Sequence, residues 1–90
     1  MRFEWDSVKD AENLKKHGVE MADGIPVFSD PLALDRFDAD HSDDEQRFNI
    51  IGFGHHELLF VTYTVRGNDV LRLISVRLAD AQEKGWYYEE

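Results

Sequence analysis

Apolar and polar side chains alternate from the start of the chain. Arg2-Phe3-Glu4-Trp5 puts Phe3 and Trp5 on one face, the pattern of a short strand with one buried side. Over residues 6–17 the period changes. Helix formers dominate, Val8, Ala11 and Leu14 recur at three-residue steps, Asp6 or Ser7 can cap the free amides, and Gly18 follows Lys15-Lys16-His17 as a stop. A second short helix is expected over 19–27 with Val19, Ala22, Ile25 and Met21 as candidates for its stripe, although Gly24 and Pro26 both disfavour a helix interior. Residues 29–44 are acidic and turn-rich. Leu32, Leu34 and Phe37 suggest an irregular edge strand ahead of an exposed, mobile loop over 38–44.

The remainder reads as a three-strand meander. Residues 45–53 and 57–66 are joined by Gly54-His55-His56, and 69–78 follow the Gly67-Asn68 turn. In the middle strand Leu59, Val61, Tyr63 and Val65 face one way while Leu58, Phe60, Thr62 and Thr64 face the other, so apolar surface on both sides marks a central strand. Residues 79–88 form a closing helix, weakened in its last turn by Gly85. The expected fold is α+β: an N-terminal strand and one or two helices packed on an antiparallel sheet, with a C-terminal helix. At 90 residues the chain has apolar material for one core, hence a single domain over 1–90.

Composition narrows this further. Hydrophobic residues make up 42% of the chain, enough for a globular fold. With no cysteine, neither a disulfide nor a thiolate metal site is available, which suits a reducing cytoplasm. No signal-peptide pattern or membrane-length apolar run is apparent, so a cytoplasmic protein without membrane attachment is expected. The net charge of −9 is uneven: −1 over residues 1–20, −7 over 21–46, +2 over 47–78 and −3 over 79–90. The strand-rich segment is therefore the only basic one, and its cations are all arginines: Arg47, Arg66, Arg72 and Arg77.

No phosphate-binding glycine loop, serine elbow, HExxH helix or CxxC pair occurs, which removes most familiar enzyme classes. The acidic loop lacks the glycine and spaced glutamate of an EF-hand and reads better as solvated surface. His55 and His56 would point to opposite faces of a strand, so with His41 they make a poor metal set; neither metal nor cofactor is expected. Arginine's planar fork suits a phosphate and the charge that develops when it is attacked. Arg66 and Arg72 should approach through the Gly67-Asn68 turn. Arg72 and Arg77 are five positions apart, so in a regular strand they face opposite sides and cannot line one site. Arginines that merely bind carboxylates are the common alternative. Metal-free RNA cleavage would also need proton carriers for the ribose 2′-hydroxyl and the leaving oxygen. His17, Glu83 and Tyr88 are candidates. Each has an ordinary alternative: a helix-end histidine, a solvated helix residue and a core anchor, respectively.

Taken in order, Phe3-Glu4-Trp5-Asp6, Lys9, Asn13, Lys16-His17-Gly18-Val19, Val27-Phe28-Ser29-Asp30, Glu45-Gln46-Arg47-Phe48, Ile51-Gly52, Leu58-Leu59-Phe60-Val61, Tyr63-Thr64-Val65-Arg66 and Arg72-Leu73-Ile74-Ser75-Val76-Arg77 resemble the BrnT toxin pattern over nearly the whole chain. The resemblance implies a RelE-like fold and a ribonuclease of a type II toxin-antitoxin system that inhibits translation. It implies neutralisation by a BrnA-type antitoxin, with operator DNA bound only through the antitoxin and a heterotetramer as one form of the complex. RNA, including ribosome-associated mRNA, is the implied substrate.

Carried over by position, the resemblance puts catalysis on Arg66, Arg77, His17 and Glu83, and RNA binding on Arg72, Arg47, Tyr63 and Tyr88; the late tyrosine of the pattern falls on Tyr87 or Tyr88. The chain departs from the pattern where a lysine and a basic helix are typical: it has Val76-Arg77-Leu78-Ala79-Asp80 and an acidic end, Glu89-Glu90. Missing cations weaken attraction to a polyanion. The competing expectation is a catalytically degenerate interaction module that binds an antitoxin or regulatory partner. Any activity is expected where the arginine-bearing strands meet the closing helix, and not in the acidic loop.

Overall fold

The computed structural model describes residues 1–89. Five strands, β1 (Arg2–Glu4), β2 (Leu34–Phe37), β3 (Phe48–Phe53), β4 (Leu58–Arg66) and β5 (Val70–Leu78), form one sheet in the order β1-β5-β4-β3-β2. The sheet is mixed rather than antiparallel throughout, because β1 pairs parallel to β5, with Phe3 opposite Leu71. The remaining pairs are antiparallel. Parallel pairing follows from the crossover: α1 (Ser7–His17) and the segments after it lie between the two strands in sequence.

Asp6 starts α1 by accepting from the amides of Val8 and Lys9 at 2.8 and 3.2 Å, and Gly18 ends it at φ 75°, where a side chain would be strained. The apolar stripe expected of α1 is not its buried side. Val8 and Leu14 are exposed, while the inward positions are Asp10, Asn13 and His17. The helix docks through hydrogen bonds instead. Asp10 accepts from the Met21 amide at 2.8 Å. Asn13, 6% exposed, donates to the Val19 and Val76 carbonyls at 2.9 and 2.7 Å and accepts from the Val76 amide at 3.1 Å. β1 ends opposite Arg72, so beyond it β5 has a free edge, and the Asn13 carboxamide occupies the place of the missing strand.

The second helix is a 3-10 helix over Met21–Ser29, shifted from the expected span. It brings Met21 and Val27 into the core with Ile50, Leu59, Val61, Tyr63, Leu73 and Val76. Gly24 permits this approach: a Cβ there would lie 2.9 Å from Val76 Cγ2 and 3.1 Å from Val61 Cγ2. The closing helix, α2 (Ala81–Tyr88), covers the other side of the sheet, where Tyr87 and Trp86 pack with Ile51, Leu58, Phe60 and Ala79. The sheet thus has one face sealed by α1 and the 3-10 helix, and a second face only partly covered by α2. Among the described residues no helix is long and apolar enough to cross a membrane.

Candidate active site

Residues opposite one another in neighbouring strands share a face. On the sealed face lie Leu59, Val61 and Tyr63 of β4 with Leu78, Val76 and Leu73 of β5. Ile74 has no partner: Ser75 pairs with Thr62 and Leu73 with Tyr63, a β-bulge that resets the alternation along β5. The bulge overturns the expectation that Arg72 and Arg77 face opposite ways. Arg77 sits opposite Phe60 and Arg72 opposite Thr64, both on the open face. The register puts Arg66 and Arg2 there too, each opposite Val70, and Arg36 opposite Asn49, while Arg47 lies one residue before the sealed-face Phe48. All six arginines of the chain therefore belong to the open face.

Near α2 this face forms a cavity of about 370 Å³, lined by Asp38, His41, Arg47, Asn49, Phe60, Thr62, Ile74, Ser75 and Arg77. Arg77 is held there by several contacts. Nη1 and Nη2 each donate to Glu83 at 2.8 Å, Nη1 also donates to the Leu78 carbonyl at 3.2 Å, and the guanidinium lies 4.1 Å from the Phe60 ring centre. The hydrogen bonds it donates to Glu83 push the already high pKa of Arg77 further up, against the opposing effect of burial.

Local sequence dictates this geometry. Asp80 and Glu83 form a capping box at the start of α2, with the Glu83 amide donating to Asp80 at 2.8 Å and the Asp80 amide to Glu83 at 2.9 Å. That fixes a carboxylate, 5% exposed, against β5. Glu83 thereby holds Arg77 in place and closes its own cap.

The acidic loop forms the other wall. It contains a short 3-10 turn, Ala39–His41, and is tied down rather than free. Asp38 accepts from Asn49 Nδ2 at 3.1 Å and lies within 3.0 Å of His41 Nδ1, while Asn49 Oδ1 accepts from Thr62 at 2.8 Å. Burial raises the Asp38 pKa, but the hydrogen bonds from Asn49 and His41 outweigh it and hold the carboxyl below its ordinary value. Asp38 and His41 of this loop line the same cavity as Arg77.

The other expected site residues are dispersed. Arg66 is six strand positions from the residue opposite Arg77, roughly 20 Å at the usual rise. It meets Glu45 at 3.3 Å; Arg47 is 3.8 Å from the same carboxylate, and Arg72 pairs with Glu4 at 2.9 Å. His17 ends α1, away from the cavity; burial, then the charges of Lys16 and Arg77, lower its pKa. Tyr63 lies on the sealed face with its hydroxyl on Asp35 at 2.7 Å, and burial ahead of that carboxylate raises its pKa well above the ordinary value. Tyr88 is exposed and borders a different cavity with Phe53, His56 and Lys84. Tyr87, the alternative late tyrosine, is buried and donates to Asp30 at 2.6 Å. Among the described residues no three His, Asp or Glu side chains converge as a metal site.

Sequence reasoning missed Asn49, Thr62 and the His41-Asp38 pair. The period-2 alternation of Asn49 with Ile51 and of Thr62 with Phe60 marks a part-polar strand face and carries some signal. The loop contact carries none.

The comparisons bear on this arrangement. A search of curated proteins finds no match. A similar solved structure is the 1.1 Å crystal structure of the Brucella abortus ribonuclease toxin BrnT, 27% identical, with a TM-score of 0.68 over 89% of this chain and 97% of that one. The family model described as the ribonuclease toxin BrnT of type II toxin-antitoxin systems matches residues 5–83. With most of its length inside that match, the chain belongs to the BrnT family of type II toxin-antitoxin systems.

Proposed function

We infer that this protein is a metal-independent ribonuclease of RelE-like fold that arrests translation and is held inactive by a BrnA-type antitoxin. The observation that carries this reading is Arg77, clamped by Glu83 and laid on Phe60 in an open cavity of the sheet. A clamped guanidinium needs little reorganisation as negative charge grows on a phosphate under attack by the neighbouring 2′-hydroxyl. Arg47 flanks it, and Arg72 and Arg66 continue along the same face as contacts for the rest of the strand. Beside the cavity, Arg36 stacks over Trp86 at 5.0 Å, a platform for a base. The cytoplasm is the compartment where such a substrate, free or ribosome-bound, is met. The antitoxin supplies any operator binding, in a heterotetramer or a simpler complex.

A second reading has one specific observation behind it. Glu4, Glu45 and Glu83 already engage Arg72, Arg47, Arg66 and Arg77, as expected of an interaction module without RNA chemistry. The largely exposed pairs of Glu4 and Glu45 are worth less than about 1 kcal/mol and yield to a polyanion, whereas the Arg77-Glu83 pair is mostly buried. Inducing the wild type, Arg77→Ala and Arg66→Ala in cells, with growth and RNA integrity followed, separates the two readings. The ribonuclease reading expects arrest and RNA cleavage lost in Arg77→Ala and only weakened in Arg66→Ala. A wild type without effect on RNA leaves the interaction module.

A further inference from the structure

We propose that His41 is the general base of the Arg77 cavity and that Asp38 is the residue that positions it. The proposal rests on the ribonuclease reading of that cavity and adds the residue that moves the proton. His41 Nδ1 lies 3.1 and 3.0 Å from the two Asp38 oxygens. An ionised carboxylate only accepts, so Nδ1 carries a hydrogen, and in the neutral ring Nε2 then holds the lone pair that a base requires.

Asp38 is itself fixed by Asn49 at 3.1 Å, and Asn49 by Thr62 at 2.8 Å, so a chain of side chains from β4 through β3 orients the imidazole. The exposures are graded to match: the Asp38 side chain is 15% exposed and that of His41 69%. The orienting group is shielded and the base is open to a ligand. His41 also lines the same cavity as Arg77 and Arg47, whereas His17, the histidine of the family pattern, ends the helix that packs on the sealed face.

With a phosphate on Arg77, His41 Nε2 takes the proton of the adjacent ribose 2′-hydroxyl. The O2′–P bond forms and the P–O5′ bond breaks. The departing oxygen takes a proton from water in the open cavity, and the imidazolium returns its proton to solvent. The products are a 2′,3′-cyclic phosphate and a 5′-hydroxyl end, with nothing oxidised or reduced. The charged and titratable groups facing His41 are Asp38, Asp40, Asp43, Asp44, Glu45, Arg47 and Arg77.

The test measures single-turnover cleavage of a short RNA by the full chain across pH, for wild type, His41→Ala, Asp38→Asn and Arg77→Ala, alongside 15N spectra of the histidine rings. His41→Ala is expected to lose about 100-fold or more in rate, to lose the acid limb of the pH profile and to regain part of the rate with added imidazole. Asp38→Asn should fall between, and the spectra should show His41 protonated at Nδ1. If His41→Ala keeps the wild-type rate and acid limb while Arg77→Ala is inactive, the base assignment alone falls; a ring protonated at Nε2 also overturns it. A wild type unable to cut RNA removes the ribonuclease reading and the base with it.

Discussion

Replacing Asn13 with alanine tests the account of how β5, and with it Arg77, is held. The substitution deletes a 6%-exposed carboxamide that makes three hydrogen bonds, two of them to the backbone of Val76, next to Arg77. At about 1 kcal/mol net each, the loss is about 3 kcal/mol, and the better helix propensity of alanine returns about 0.5 kcal/mol. The expected destabilisation is therefore about 2–3 kcal/mol, a large share of the roughly 5–15 kcal/mol typical of a domain. In urea this appears as a midpoint lowered by about 1–2 M with an unchanged slope, and in a melt as roughly 10–20 °C. Asn13→Asp sharpens the test. It keeps the shape and the acceptor for the Val76 amide but turns an acceptor toward the Val19 and Val76 carbonyls, so it should cost at least as much as alanine at neutral pH. A loss below about 1 kcal/mol in Asn13→Ala, or near-wild-type stability in Asn13→Asp, would refute the edge-capping role.

Gly24→Ala forces a Cβ to within 2.9 Å of Val76 Cγ2 and should lower stability in urea by about 1–3 kcal/mol; an unchanged midpoint would mean the 3-10 helix is not packed as described. Glu83→Gln should slow RNA cleavage mainly through kcat and cost about 1–3 kcal/mol, allowing for the partial exposure of Arg77; wild-type kcat would deny Glu83 its positioning role. Burial raises the Asp30 pKa, but hydrogen bonds from Tyr87, Phe53 and Leu32 outweigh it, so its folded pKa lies below 3.8. Its stabilisation is complete above that value and lost as pH falls through the folded pKa, so Asp30→Asn should flatten the acid limb of a stability-pH curve. Burial, then Asp30, push the Tyr87 pKa up to about 12 from 10, so its contribution is full below pH 10 and disappears as pH rises through about 12. Tyr87→Phe should flatten that alkaline limb in spectroscopic unfolding.

Much of the architecture is legible in the sequence because local chemistry decides it. Asp6 and Gly18 bound α1 as their side-chain and backbone preferences require, and the three meander strands fall within a few residues of their expected spans. What failed depends on distant partners. The stripe Val8-Ala11-Leu14 misleads because α1 turns Asp10 and Asn13 inward, and these polar groups are satisfied there only once the Met21 amide and the β5 edge are present. The Ile74 bulge, which decides whether Arg72 and Arg77 share a face, leaves no trace in residue types. The same split runs through the site. The arginines as candidate phosphate ligands are visible in the sequence, and so in principle is the Asp80-Glu83 cap that aims a carboxylate at Arg77. The approach of His41 and Asp38 to those arginines is not, because it depends on Asn49 and Thr62 of two paired strands.

The most direct test of the central claim is identification of the RNA ends produced by the purified full-length protein in the presence of a chelator, wild type against Arg77→Ala. The account predicts 2′,3′-cyclic phosphate and 5′-hydroxyl ends from the wild type, and a rate lower by about 100-fold or more in Arg77→Ala. Intact RNA with the wild type, 5′-phosphate ends, or equal cleavage by both proteins would contradict it.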